Sequence, residues 1–248
     1  IHISTQANVT SWSAVDFWYK LGAKRIILAR ELGIKEITEI KKKIPKIELE
    51  MFVHGAMCMS YSGRCLISAF LNNRSANRGL CTQPCRWEYN LIEKSRPEES
   101  FKIEEDERGS YFFNSKDLNL IKRIPQIKKA GIDSIKIEGR MKSLYYVAAV
   151  TRAYKDAIKA GINIVSADTQ EELNKISHRY YSEAFFDKFD SSETQYYGSS
   201  AYIRHYQFVG EIIEVEGTSA FISIKAKFCI GDEIEFIFPD SKDDFKII

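Results

Sequence analysis

Four of the five cysteines in this chain fall in one short stretch, as Cys58, Cys65, Cys81 and Cys85, with the spacing Cys-x6-Cys-x15-Cys-x3-Cys. Gly63, Gly79, Arg64, Arg74 and Arg78 lie between them. Four thiolates brought together need a compensating positive charge, and a metal centre is the usual supplier. Ordinary buried cysteines are scattered along strands and helices, whereas these crowd a segment rich in Gly, Asn, Arg and Ser. Nothing marks the chain as secreted, so disulfides are the weakest reading. Structural zinc typically uses two close pairs, and here only Cys81-x3-Cys85 is close. Uneven spacing with a Pro84-Cys85 element is nearer to iron–sulfur ligation. On spacing alone iron–sulfur leads zinc by a small margin, and both stay open.

A second set of chemically able residues follows the expected strands: Gln6 and Asn8, Arg30 and Glu31, His54, then Asn114, Lys116 and Asp117, and finally Glu138, Arg140 and Lys142. In parallel α/β folds, sites gather at the carboxyl ends of strands. Arg30, Arg140 and Lys142 suit an anionic substrate such as a dicarboxylate or phosphate, with Gln6 beside them. His54 and Glu138 are the acid–base candidates by residue type. Asp117 and Glu31 read equally well as helix caps. The other histidines, His2, His178 and His205, read as structural or surface residues. Arg64, Arg74, Arg78 and Arg86, together with Tyr202, Arg204 and Tyr206, are candidates for contacting RNA bases and phosphates. Aromatics at that density also serve packing. Cys229 reads as a buried thiol.

The elements that must position these groups alternate. Strands are expected at the N-terminus, 25–30, 48–53 and 134–137, with short ones at 87–92 and 111–113. Helices are expected over 12–21, 34–43, 118–129, 143–159 and 170–177. The helix over 118–129 should be capped near Ser115 and kinked at Pro125. The charged run 93–108 reads as a loop closed by Gly109. From 208 onward, period-two runs separated by Gly217 and Gly231 form a small antiparallel module. Repeated βα units argue for an α/β fold with parallel strands, but four or five units are too few for a closed eight-stranded barrel. With 36 basic and 34 acidic residues, the chain lacks the bulk charge of a general nucleic-acid binder. No run is long and apolar enough for a membrane span, and no leader pattern is present, so a cytoplasmic protein without a membrane partner is expected.

The stretch Glu50-Met-Phe-Val-His-Gly-Ala-Met-Cys58-Met-Ser-Tyr-Ser-Gly-Arg-Cys65-Leu-Ile-Ser68 closely resembles the signature of the collagenase-like peptidases of unassigned catalytic type, peptidase family U, number thirty-two. The runs Asn77-Arg78-Gly79-x-Cys81-x-Gln83-Pro84-Cys85-Arg86 and Lys136-Ile-Glu138-Gly139-Arg140-Met141-Lys142 are similar to that family as well. The branch it resembles is that of the tRNA hydroxylation proteins, which convert a wobble uridine to 5-hydroxyuridine. Relatives hydroxylate ribosomal RNA or ubiquinone precursors without oxygen. The resemblance implies a barrel core and a 4Fe-4S cluster held by the four cysteines, with prephenate as co-substrate and tRNA as substrate. A protein of the same family or an electron donor is the implied protein partner. It further implies that barrel strands precede Ile1, giving a partial (β/α) barrel over 1–176 with a cysteine-rich insertion at 55–113. An aromatic connector and small β domain then fill 177–248. Missing strands would leave apolar edges that favour association. A peptidase is the competing function, although no Gly-x-Ser-x-Gly or His-Glu-x-x-His element is present. A zinc-stabilised RNA-binding module is the third.

Overall fold

The computed structural model describes residues 1–87, 90–93, 96–102, 115–160, 167–188, 194, 196 and 202–248. The first half follows the βα alternation read from the sequence. β1 (His2–Ile3), β2 (Arg25–Ile27) and β3 (Glu48–Ala56) pair in parallel, in that order. The intervening helices are α1 (Trp12–Lys20) and α2 (Ile34–Lys43). Ser11 caps α1, its side chain accepting the Ala14 N–H at 3.2 Å.

β3 is the spine of the sheet. Its residues from Met51 to Ala56 are all buried, and three strands pair with it. β2 joins its first half, while two later strands join its middle and end. Beyond β3 come α3 (Ile67–Asn72), the antiparallel pair β4 (Asn90–Glu93) and β5 (Arg96–Lys102), and β6 (Asp117–Asn119). Then follow α4 (Ile124–Lys129), β7 (Ser134–Ile137), α5 (Leu144–Ala160), α6 (Ala167–Lys175) and β8 (Tyr181–Ser182). β7 runs parallel to β3, whereas β6 runs antiparallel, with Asp117 opposite Ala56 and Asn119 opposite His54. The path of the six-stranded sheet runs β1-β2-β3-β6-β8, with β7 on β3. The fold is therefore mixed α/β, with one largely parallel sheet and small antiparallel ones. The last of these are β9 (Gly210–Glu216) with β10 (Ser219–Ile224), and β11 (Ile234–Phe236) with β12 (Phe245–Ile247).

The structure corrects the sequence reading at several points. Residues 117–119 form a strand that takes the first two positions of the helix expected over 118–129, because Asp117, Leu118 and Asn119 are all buried against the end of β3. The helix begins only at Ile124, so Pro125 sits in its first turn, where a missing N–H costs nothing and no kink results. Ser115 forms no helix cap. Part of the expected charged loop is the β4–β5 hairpin, and β2 ends at Ile27, three residues early. The expected strand 111–113, Asn114 and Gly109 lie outside the described residues. Cys229 is exposed in a turn, its N–H bonded to the Asp232 carboxylate at 2.7 Å.

One apolar cluster unites Ile26, Leu49 and Val53 of the strands with Ile37, Val150 and Leu173 of the helices. Full burial of each such side chain contributes roughly 1.5–3 kcal/mol. The C-terminal strands are tied to this core by charge. Arg152 of α5, nearly buried, donates to both Asp244 carboxylate oxygens at 2.8 and 2.7 Å, to the Phe238 carbonyl at 2.9 Å and to Glu172 at 2.7 Å. Lys175 of α6 adds Glu235 of β11 at 2.8 Å. Replacing Arg152 by Met should strand two carboxylates in a partly buried site and lower stability by roughly 3 kcal/mol. At unchanged slope, the urea midpoint should fall by that free energy divided by the slope.

Candidate metal and anion site

Two glycines seat the cysteine-bearing segment on the sheet. Gly55, near the end of β3, has φ +104°, and a Cβ there would stand 2.3 Å from the Glu138 carbonyl oxygen. Gly63 has φ +76°, and its Cβ would stand 2.0 Å from the Gln6 carbonyl oxygen. Only glycine satisfies both the left-handed backbone and the close approach. The Glu31 carboxylate then fixes the loop by accepting the Ser62 N–H at 2.8 Å and the Ser62 hydroxyl at 3.1 Å. That is a pinning role, and Glu31 caps no helix. Further on, the Thr82 N–H donates to the Ser68 hydroxyl at 3.1 Å and Asn72 donates to the Thr82 hydroxyl at 2.8 Å. These bonds hold α3 beside Cys81.

The two ends of the segment meet at one guanidinium. Arg86 donates to the Asp117 carboxylate at 3.0 Å and to the Met57 carbonyl at 3.2 Å. Met57 precedes the first clustered cysteine and Arg86 follows the last, so one side chain closes the loop between them. Asp117 is 0% exposed; it also accepts the Arg179 N–H at 3.1 Å and lies 3.6 Å from the Lys142 ammonium. Burial pushes its carboxyl up, but Arg86 and Lys142 outweigh that, and the group stays below its ordinary value. Asp117 is therefore a buried counter-ion and not a cap. Arg86, with a side chain 5% exposed, is a structural residue and not an RNA contact on the surface. Its signal in the sequence is positional: a cation directly after the last cysteine, in a segment without a carboxylate, must find its partner elsewhere.

Above this frame lies a cavity of about 130 Å³ whose wall includes Gln6, Arg30, Phe52, Glu138, Arg140 and all four clustered cysteines. Arg30 reaches into it from the loop three residues past the end of β2. Its guanidinium stacks 3.7 Å over the Phe52 ring, donates to the Cys58 sulfur at 3.5 Å and lies 3.8 Å from Glu138. Glu138 also accepts the Arg140 N–H at 3.0 Å. The Gln83 N–H, held by a left-handed backbone at φ +57°, donates to the Cys81 sulfur at 3.3 Å. All five cysteines are unbridged. Burial, and then the neighbouring thiols, push Cys85 up to about 11, and Cys81 is raised mainly by burial.

The donors fit a thiophilic metal in type, in number and in sharing one wall. Their side chains do not stand as a closed ligand set: among the described residues, no three Cys, His, Asp or Glu groups are arranged around a point as a metal would need. Of the residues singled out in the sequence, Gln6, Arg30, Glu138, Arg140 and the cysteines meet here. His54 and Lys142 do not line the cavity. Lys142 lies against Asp117 and donates to the Ser177 carbonyl at 3.3 Å. His54 is 1% exposed and ringed by Tyr146, Tyr154 and Tyr181 at 5.4–6.0 Å. Burial pushes its imidazole down to about 3, so it is neutral at working pH.

Two outcomes are expected. An unfolded imidazole takes a proton near 6.5, while folded His54 refuses it down to about 3. This site's stability is therefore complete above 6.5 and is lost as pH falls from 6.5 toward 3, at up to about 1.4 kcal/mol per pH unit. His54→Gln should flatten that limb in urea midpoints measured against pH. Arg86→Met leaves Asp117 buried against fewer cations and should cost roughly 3–5 kcal/mol. Calorimetry should show a correspondingly lower melting temperature, with less of the loss in Arg86→Met/Asp117→Leu.

Comparison with known proteins places the chain. A family model described as Peptidase family U32 matches residues 1–196. The tRNA hydroxylation protein P of Escherichia coli is 38% identical over 291 aligned residues, covering 100% of this chain and 64% of that protein. The Collagenase of Porphyromonas gingivalis is 34% identical over 96% of this chain and 61% of its own length. The 23S rRNA 5-hydroxycytidine synthase of Escherichia coli is 34% identical over 64% of this chain and 23% of its own. The chain thus spans less than two thirds of the length of each of these relatives. No solved structure matches it. With the family match running from Ile1 through most of the 248 residues, the chain belongs to Peptidase family U32.

Proposed function

We propose that this chain is the metal-bearing part of an RNA-hydroxylating protein, acting on a wobble uridine of tRNA to give 5-hydroxyuridine. The observation that carries this reading is one cavity shared by four unbridged thiols and by Arg30, Glu138, Arg140 and Gln6. Relatives named for tRNA hydroxylation and for rRNA hydroxycytidine synthesis support RNA as the substrate class. The sheet is proposed to be part of a (β/α) barrel over 1–176, with 177–248 as a separate module.

Cys58, Cys65, Cys81 and Cys85 would hold a 4Fe-4S cluster, with zinc as the alternative. When bound, the cluster would supply a redox-active iron centre at the cavity wall. The remaining chemistry falls to the chain's own residues. Arg30 and Arg140 present cations that can hold a dicarboxylate such as prephenate, and the Gln6 amide can hydrogen-bond it. Glu138, near the Arg30 guanidinium and bonded to the Arg140 backbone N–H, is the group placed to accept or return a proton. Burial raises the Cys81 and Cys85 thiols, which argues against either as the nucleophile of a peptidase, since a nucleophilic cysteine needs its thiolate stabilised.

Anaerobic purification should give a brown protein with broad visible absorption and about four iron atoms per chain. Zinc without a chromophore would transfer the reading to a structural module. Arg140→Ala should keep the iron and the melting temperature but lose 5-hydroxyuridine derivatives from tRNA, read by mass spectrometry in a deletion strain. Wild-type levels of the modified nucleoside would remove Arg140 from the site.

A further inference from the structure

The cysteine-bearing segment carries a face that the proposed chemistry leaves unused. Between Glu50 and Glu88 the sequence holds four arginines and no acidic residue, in a chain whose 36 basic and 34 acidic residues otherwise nearly cancel. Arg86 is buried against Asp117, whereas Arg64, Arg74 and Arg78 are exposed. Their places relate to the cavity. Arg64 lies between Gly63 and Cys65, and Arg78 between Asn77 and Gly79; all four of those neighbours line the cavity, so the two arginines stand on its rim. Arg74 lies two residues past the end of α3, whose Phe70 is 87% exposed. Tyr61, on the cavity wall, is exposed as well.

A segment free of acidic residues that exposes three arginines and the rings of Tyr61 and Phe70 suits a ligand with a negative backbone and flat apolar faces. Single-stranded RNA has both. Its phosphates meet the guanidiniums, and its unstacked bases find ring faces. A duplex keeps its bases stacked and offers the aromatics nothing. An apolar protein partner would match Phe70 but would have to bring carboxylates for three arginines. We infer that Arg64, Arg74, Arg78, Tyr61 and Phe70 form the docking surface for a single-stranded RNA loop, held with one base over the cavity mouth. This deepens the RNA-hydroxylation reading and rests on it. The surface is separate from the residues assigned to chemistry, so binding and turnover are divisible by mutation.

Binding of a synthetic RNA stem-loop to the full chain, followed by fluorescence anisotropy across a salt series, tests this. The comparison is between Arg64→Ala/Arg74→Ala/Arg78→Ala and a control, Lys35→Ala/Lys42→Ala/Lys46→Ala, which removes equal charge from exposed lysines of and after α2. The arginine triple should bind far more weakly, with its log–log salt slope reduced by about 2, while the lysine triple stays near wild type. Phe70→Ala should weaken the loop about tenfold and leave a blunt duplex of equal length unaffected. Thermal melts should be unchanged, since every substituted side chain is exposed. Equal losses in both triples, or an arginine triple that binds as wild type does, would overturn the surface and leave the RNA reading standing. A wild-type chain that binds neither stem-loop nor tRNA would overturn both. If Phe70→Ala alters only the oligomeric state, the face is a protein contact and the inference falls.

Discussion

Arg86 and Asp117 form an ion pair from which water is almost wholly excluded, and the placement of the cavity depends on it. Moving two charges out of water costs several kcal/mol each, so such a pair persists only where further hydrogen bonds saturate it. Here they do. Asp117 receives Arg86, the Arg179 N–H and the nearby Lys142, and Arg86 adds the Met57 carbonyl. The pair thereby joins three pieces of chain far apart in sequence: the exit of β3, the residue after the last clustered cysteine, and the start of β6. The antiparallel entry of β6 brings its first residue, Asp117, opposite Ala56 at the end of β3. A parallel strand would have brought its last residue there instead.

The rest of the site follows a consistent charge economy. Cys81, Cys85 and His54 are all driven toward their neutral forms by burial. Charge is kept where it is matched, at Arg86 with Asp117 and at Arg30 with Glu138. Two N–H donors already point at sulfur, from Arg30 to Cys58 and from Gln83 to Cys81. Donors of that kind stabilise the thiolate over the thiol. A bound cation would complete the arrangement, and protons leaving the thiols would accompany it.

Much of this was legible in the sequence. The βα alternation through β3, β7 and α5 could be read from period and breakers. The positional rule for strand ends selected Gln6, Arg30, Glu138 and Arg140, which do meet. It failed for His54 because β3 runs on to Ala56, so His54 is an interior residue of a strand and its side chain packs among tyrosines. The helical reading of 118–129 failed at Leu118 and Asn119, whose burial comes from pairing with β3. Arg86 and Asp117 were visible as charges, but a pairing across thirty-one positions has no local signature. Tertiary contact alone decides it.

The two seating glycines carry a consequence for how such a site can diversify. At Gly55 and Gly63 the neighbouring backbones of Glu138 and Gln6 already fill the volume that a first side-chain carbon would need. The floor is thus closed to gradual remodelling: no sequence of small, individually tolerated replacements passes through either position. Novelty among descendants of this chain must enter from the rim, where residues are exposed and individually dispensable to folding. A scaffold so divided lets the rim change without rebuilding the floor.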